Sequence, residues 1–109
     1  MDVDKLYRAI TEAGNDHADK AAAAALLEGS MKTLLASLTL AAKSEKNCSV
    51  AEANLHALTH PDYKKAREDM IEARRAEHRA KVRCTALDAR FQAQRTLEAS
   101  HRAAMHAAK

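Results

Sequence analysis

From Pro61 onward the chain has no glycine and no further proline, so for over forty residues nothing in the sequence interrupts a helix. The stretch is rich in alanine, arginine and glutamate, which lose little freedom on becoming helical. Its apolar residues recur at steps of three and four: Ala66, Met70, Ala73, then Ala80, Cys84, Leu87 and Phe91. That recurrence places them on one helical stripe. Polar residues such as Glu77 and Gln94 share the series. Ile71, Val82 and Leu97 lie beside it, so the stripe is expected to be broad or to drift. The spacing predicts a helix over residues 62–106 that opens at Pro61 or Asp62, with the turns from His101 to Lys109 fraying.

The first part of the chain repeats the pattern with more leucine. The series Val3, Leu6, Ile10, Ala13, His17, Lys20, Ala24, Leu27, Met31, Leu34, Leu38, Ala41 is apolar at all but His17 and Lys20. This is a coiled-coil seam and predicts one helix over residues 2–46. Asp2 or Asp4 is suited to cap its start, and Lys43 and Lys46 suit its C-terminal end. Gly14 and Gly29 each cost a helix about 1 kcal/mol relative to alanine. The seam keeps phase across both, so a single helix is expected, with a kink near Gly29–Ser30 as the alternative.

Between the two stripes, Asn47-Cys48-Ser49 breaks the pattern. Ser49 followed by Glu52 matches the capping box, in which each side chain satisfies a free backbone N–H. A short helix over residues 49–59 follows, ended by Thr59-His60-Pro61, because the residue before proline is driven out of the helical region. Two long helices joined by so short an elbow must run antiparallel. The expected fold is therefore all-α: residues 1–109 form a single domain, a long coiled-coil-like antiparallel helical hairpin with a short helix at its elbow. At 1.5 Å per residue each arm is roughly 65 Å long.

Composition supports this reading. The 47% apolar content is dominated by alanine, aromatics are 3%, and a thick core is out of reach. A hairpin buries one stripe per helix, which leaves Ala18, Ala22, Ala25 and Leu35 for a second contact surface. Self-association follows as an expectation, most simply a dimer forming a four-helix bundle. Leu6, Ile10, Leu27, Met31, Leu34, Leu38, Met70, Leu87 and Phe91 are the expected packing residues. No apolar run reaches the ~20 residues that span a bilayer, since Ala21–Leu27 is flanked by Lys20 and Glu28. Neither a membrane partner nor a secretory signal is expected. Cys48 and Cys84, in no CxxC pair, are expected to be reduced thiols of a cytoplasmic protein.

The net charge of +3 is unevenly spread. Residues 1–46 carry 6 basic and 7 acidic side chains, whereas residues 61–109 carry 12 and 7. Arg74, Arg75, Arg79, Lys81 and Arg83 make the densest basic stretch, with Glu77 the one acid among them. Such a stretch is either a phosphate-contacting face or a solvated surface pairing with Glu68, Asp69 and Glu72. Steps of four align Arg75, Arg79 and Arg83, with Arg74 and Lys81 to either side. No aromatics interleave, which argues against base stacking.

Six histidines raise a metal question. His56 and His60 are four apart with Cys48 nearby, but zinc needs three or four converging ligands and no HExxH is present. They are expected to be surface or elbow histidines, and no metal or cofactor is expected. His17, on the seam, is expected to fix register or oligomeric state. There is no phosphate loop, nucleophile elbow or dinucleotide fingerprint, so no enzymatic activity is expected.

The succession DVDKLYRAITEAGNDHADKAAAAALLEGSMKTLLASL, SVAEANLHALTHPDYKKAREDMIEARRAEHRAKVR and RFQAQRTLEASHRAAMH resembles small helical proteins of tailed phages and prophages, whose genes often lie near replication and recombination functions. The resemblance spans most of the chain and implies a bacterial or phage cytoplasmic protein. It assigns a role to no residue. The expected function is an interaction or scaffolding module that self-associates and binds a protein partner. The alternative is an accessory DNA-binding protein of phage recombination or replication. A secreted helical hairpin of the WXG type is disfavoured, because the elbow lacks Trp-x-Gly.

Overall fold

A computed structural model describes residues 2–108. The chain is an all-α helical hairpin of three helices: α1 (Val3–Lys46), α2 (Val50–Leu58) and α3 (Pro61–Ala107). Among the described residues there is no strand. The helix α1 runs unbroken through Gly14 and Gly29. The helix α3 stays helical to Ala107, beyond the expected fray at His101, although its last turns are exposed; Lys109 lies outside the described residues. Alanine-rich turns hold their helical hydrogen bonds without tertiary cover, which accounts for the difference.

Local chemistry sets the boundaries. At the start of α1 the Asp4 N–H donates to Asp2 Oδ1 at 3.2 Å. At its end Asn47 takes φ 49°, the left-handed conformation that asparagine tolerates and that closes a helix. The Glu52 N–H then donates to Ser49 Oγ at 3.2 Å, which caps α2. Among the described residues no bond returns from the Glu52 carboxylate, so half of the predicted box is formed. His60 caps α3: the Asp62 N–H donates to its Nδ1 at 3.0 Å, and Pro61 takes the first helical position, where a missing N–H costs nothing.

The chain forms two compact units. One contains the part up to Ala18 with the part from His78 onward, and the other spans Asp19–Glu77. In the first, Leu6, Ala13 and Ala80 are buried. Ile10, His17, Cys84, Leu87, Phe91 and Gln94 are half-buried. In the second, Ala24, Ala42, Ala53 and Ala57 are buried. Leu27, Met31, Leu34, Leu38 and Met70 are half-buried.

Apart from Leu6, the core is thus made of alanine, with the other large seam residues lining its edges. Two helices leave a seam one side chain deep. A methyl group on the contact line is fully enclosed, but a leucine beside it keeps one side wet. No large side chain among the described residues is fully buried.

Several expected seam positions fall outside. Val3 is exposed, and so are Lys20 and Ala41, with Ala21 and Ala42 turned inward in their place. A straight helix of 3.6 residues per turn drifts against a strict seven-residue series, so the contact line steps by one residue. The inward face of α3 ends at Gln94: further along the same three-and-four spacing, Glu98, His101 and Met105 are exposed. Ile71, Val82 and Leu97 point outward, so the α3 stripe is narrow rather than broad.

Candidate interaction surface

The unit spanning Asp19–Glu77 carries the least expected surface of the molecule. A soluble helix normally puts charged side chains on the face opposite its core stripe. On α1 that opposite face holds Ala22, Leu26, Gly29, Thr33, Ala36 and Leu40, all exposed and all uncharged. Leu26 and Leu40 are 72% and 70% exposed. The Thr33 hydroxyl donates to the Gly29 carbonyl at 3.3 Å, so it is satisfied on its own helix. Gly29 has nothing within 4 Å of where a Cβ would stand, so no packing within the described residues requires a glycine there. An open groove of about 720 Å³ follows this face past Ala25, Ser30 and Ser37.

The elbow adds to the apolar surface. Ala53 and Ala57 pin α2 inward, while Val50 and Leu55 are 59% and 63% exposed. Beside it, a smaller pocket of about 170 Å³ is lined by Leu38, Glu45, Lys46, His56 and His60 among others. His56 Nδ1 lies 3.2 Å from Lys46 Nζ, and His60 is occupied as a helix cap. Cys48 is half-buried with its Sγ 3.9 Å from the Ala42 carbonyl, and both cysteines are free thiols. Among the described residues no three His, Cys, Asp or Glu side chains converge as a metal site would require.

The five basic residues singled out on α3 have different surroundings. Arg74 bonds Glu77 at 2.7 Å and also pairs with Glu28 on α1. The hydrogen bonds its guanidinium donates to these two carboxylates, Glu77 first, hold it above the ordinary arginine pKa. Arg75 bonds Glu72 at 2.7 Å. A turn earlier, Lys65 bonds Asp69 at 2.9 Å, and that bond raises the lysine pKa. Arg79, Lys81 and Arg83, in the unit that joins the part up to Ala18 with the part from His78 onward, are exposed and make no ion pair among the described residues. Arg79 and Arg83 share a flank of α3, and Lys81 lies across the helix from them.

The helix α1 also contains an 18-residue window of mean hydropathy 1.2, long and apolar enough by length and composition to cross a membrane. A search for unbroken apolar runs passes over it, because Glu28 and Lys32 interrupt the sequence without cancelling the leucines around them. One such helix is weak evidence, since the core helix of a soluble protein passes the same test. Sequence reasoning also passed over the outward series on α1, which was legible as a second set of three-and-four steps out of phase with the first. The Glu28–Arg74 pair joins residues far apart in sequence and left no local signal.

No protein family, curated protein or solved structure matches the chain.

Proposed function

We propose that this chain is a non-enzymatic interaction or scaffolding protein that self-associates and binds a protein partner, in the cytoplasm of a bacterial or phage-infected cell, as the resemblance to phage helical proteins suggests. The observation that carries the reading is the uncharged outward face of α1, with Leu26 and Leu40 about seven-tenths exposed. Exposed leucines on a helix that already has a core stripe are stabilised by a second surface that removes them from water. Each contributes roughly 1.5–3 kcal/mol when fully covered.

A protein surface fits that face better than a lipid one. Within the same unit Glu28 pairs with Arg74 of α3, a helix dense in charge along its length. Hydrocarbon would strip the water from those charges at a cost of several kcal/mol per ion.

Sedimentation velocity and light scattering at tens of micromolar test the proposal. A dimer or larger species is expected, and a chain that stays monomeric removes the self-association. A partner is sought by co-purification from the native host, where repeated recovery of the chain alone counts against one.

A second reading is supported by Arg79, Lys81 and Arg83, which are exposed and not engaged by carboxylates: contact with DNA phosphates. Binding of this kind weakens steeply with salt.

A further inference from the structure

We infer that the outward face of α1 is the contact between two copies of this chain, packed antiparallel across a two-fold axis beside Met31. The inference rests on the self-association proposed above and specifies its surface, occupant and direction. Asp19, Ala22, Leu26, Gly29, Thr33, Ala36, Leu40 and Lys43 follow one another at steps of three and four. All eight are exposed and all belong to the unit spanning Asp19–Glu77. The series covers more than three heptads, about 36 Å of helix, which is long enough to count as a coiled-coil seam. It lies on the face opposite buried Ala24 and Ala42, so the hairpin itself leaves it uncovered.

The order of residues along the seam identifies the occupant. Reversing the seam and laying it on itself places Leu26 against Ala36 of the second copy and Leu40 against Ala22. Each large side chain then meets a small one, as interdigitating layers require. Gly29 meets Thr33, whose hydroxyl is already bonded within its own helix. The glycine therefore gains a use that the single chain does not give it, since it lets the two backbones approach closely at the centre of the contact. At both ends Asp19 meets Lys43.

Laid parallel, the same seam puts leucine on leucine, leaves glycine opposite glycine, and sets Asp19 against Asp19 and Lys43 against Lys43. Size and charge both select the antiparallel arrangement, which is the self-complementary contact that a two-fold axis generates. Lys32 stands on the flank of the seam and stays at its wet rim.

The test uses the full chain in sedimentation equilibrium. Leu26→Asp is expected to weaken the dimer by roughly tenfold or more, with helicity unchanged because a lone chain exposes this side chain. Asp19→Lys alone, or Lys43→Asp alone, is expected to weaken it by roughly two- to tenfold, since symmetry counts each end pair twice. The double variant carrying both changes is expected to return to within about twofold of the starting affinity. A parallel dimer keeps like charges opposite each other at both ends in every one of these variants, so neither single change would weaken it.

A dimer indifferent to Leu26→Asp, or one the double variant does not restore, overturns the inference but leaves self-association standing. A chain that is monomeric throughout overturns both. Flotation with phosphatidylcholine vesicles that Leu26→Asp abolishes, without a dimer in solution, assigns the face to lipid and also overturns the inference.

Discussion

The Arg74 side chain on α3 pairs with Glu28 on α1 and at the same time bonds Glu77 one turn along its own helix. One guanidinium thus bridges α1 and α3 within the unit spanning Asp19–Glu77 while remaining about two-fifths exposed. A partly hydrated pair of this kind adds little to stability and is screened by salt. Glu28→Gln should lower the melting temperature slightly, and the difference from the unaltered chain should shrink as salt is raised. A drop that is large or indifferent to salt would show that Glu28 acts through packing instead. The raised arginine pKa places any loss of the pair at rising pH above the ordinary arginine range, so alkalinisation below it should leave the contribution intact.

The enclosed alanines make a second expectation. Ala24 and Ala53 are fully buried, and Ala57 nearly so. At these points the methyl group is enclosed, and a larger side chain has no exposed side to expand into. Ala24→Leu adds apolar volume that a thin seam cannot absorb and should destabilise by about 1–3 kcal/mol. Urea unfolding at fixed protein concentration measures it. Equal or greater stability would mean that the arms separate freely and that the alanine contact is incidental.

How much of this could be read beforehand depended on the range of the interaction. The helices and the elbow follow from local rules, so Ser49, Asn47 and Pro61 announced themselves as a cap, a break and a start. The inner stripe was legible too, from Leu6 to Leu38 and from Ala66 to Phe91, because period is a local property. The step from Ala41 to Ala42 was not, since it depends on how a straight helix drifts against its neighbour. Burial depth was also beyond reach. Leu27 and Ala24 belong to the same series, and only the distance between helices decides that the alanine is enclosed and the leucine half-wet. The candidate surface was visible in part, with Ala18, Ala22 and Ala25 anticipated and all exposed. Leu35 turns inward to half-burial, and Leu26 and Leu40 lie out of phase with the inner seam, so its period does not point to them.

Gly14 offers a clean comparison with Gly29. It lies inside α1, with nothing within 4 Å of a built Cβ and no left-handed backbone. Gly14→Ala should therefore stabilise the chain by about 0.5–1 kcal/mol, through helix propensity and the narrower unfolded ensemble, and leave its solution mass unchanged. Chemical denaturation and sedimentation together measure both. A destabilised Gly14→Ala chain would reveal a close contact at that position.

The elbow should respond to its caps separately from the arms. Ser49→Ala removes the acceptor for the Glu52 N–H and should cost about 1 kcal/mol, in keeping with lost N-caps elsewhere. Asn47→Val forces a branched side chain into positive φ and should cost on the order of 1–3 kcal/mol. Hydrogen exchange should localise the Ser49→Ala effect to α2 amides. Faster exchange spread evenly over α1 and α3 would mean instead that the elbow unfolds only with the whole chain.

The basic stretch of α3 can be divided by what each residue already holds. Arg74 and Arg75 are engaged with Glu28, Glu77 and Glu72, so a phosphate would have to displace a carboxylate. Arg79 and Arg83 are not so engaged and lie one turn apart on one flank, close enough to contact neighbouring phosphates of one strand. Lys81 faces away from that flank. If DNA is bound, Arg79→Ala with Arg83→Ala should reduce the slope of log affinity against log salt by roughly 2, about one unit for each lost phosphate contact. Arg74→Ala with Arg75→Ala should change it far less. Fluorescence anisotropy with a short duplex across a salt series measures both slopes. Equal losses from the two pairs would assign the binding to overall charge rather than to this flank, and no binding at low salt would leave α3 as a solvated helix face.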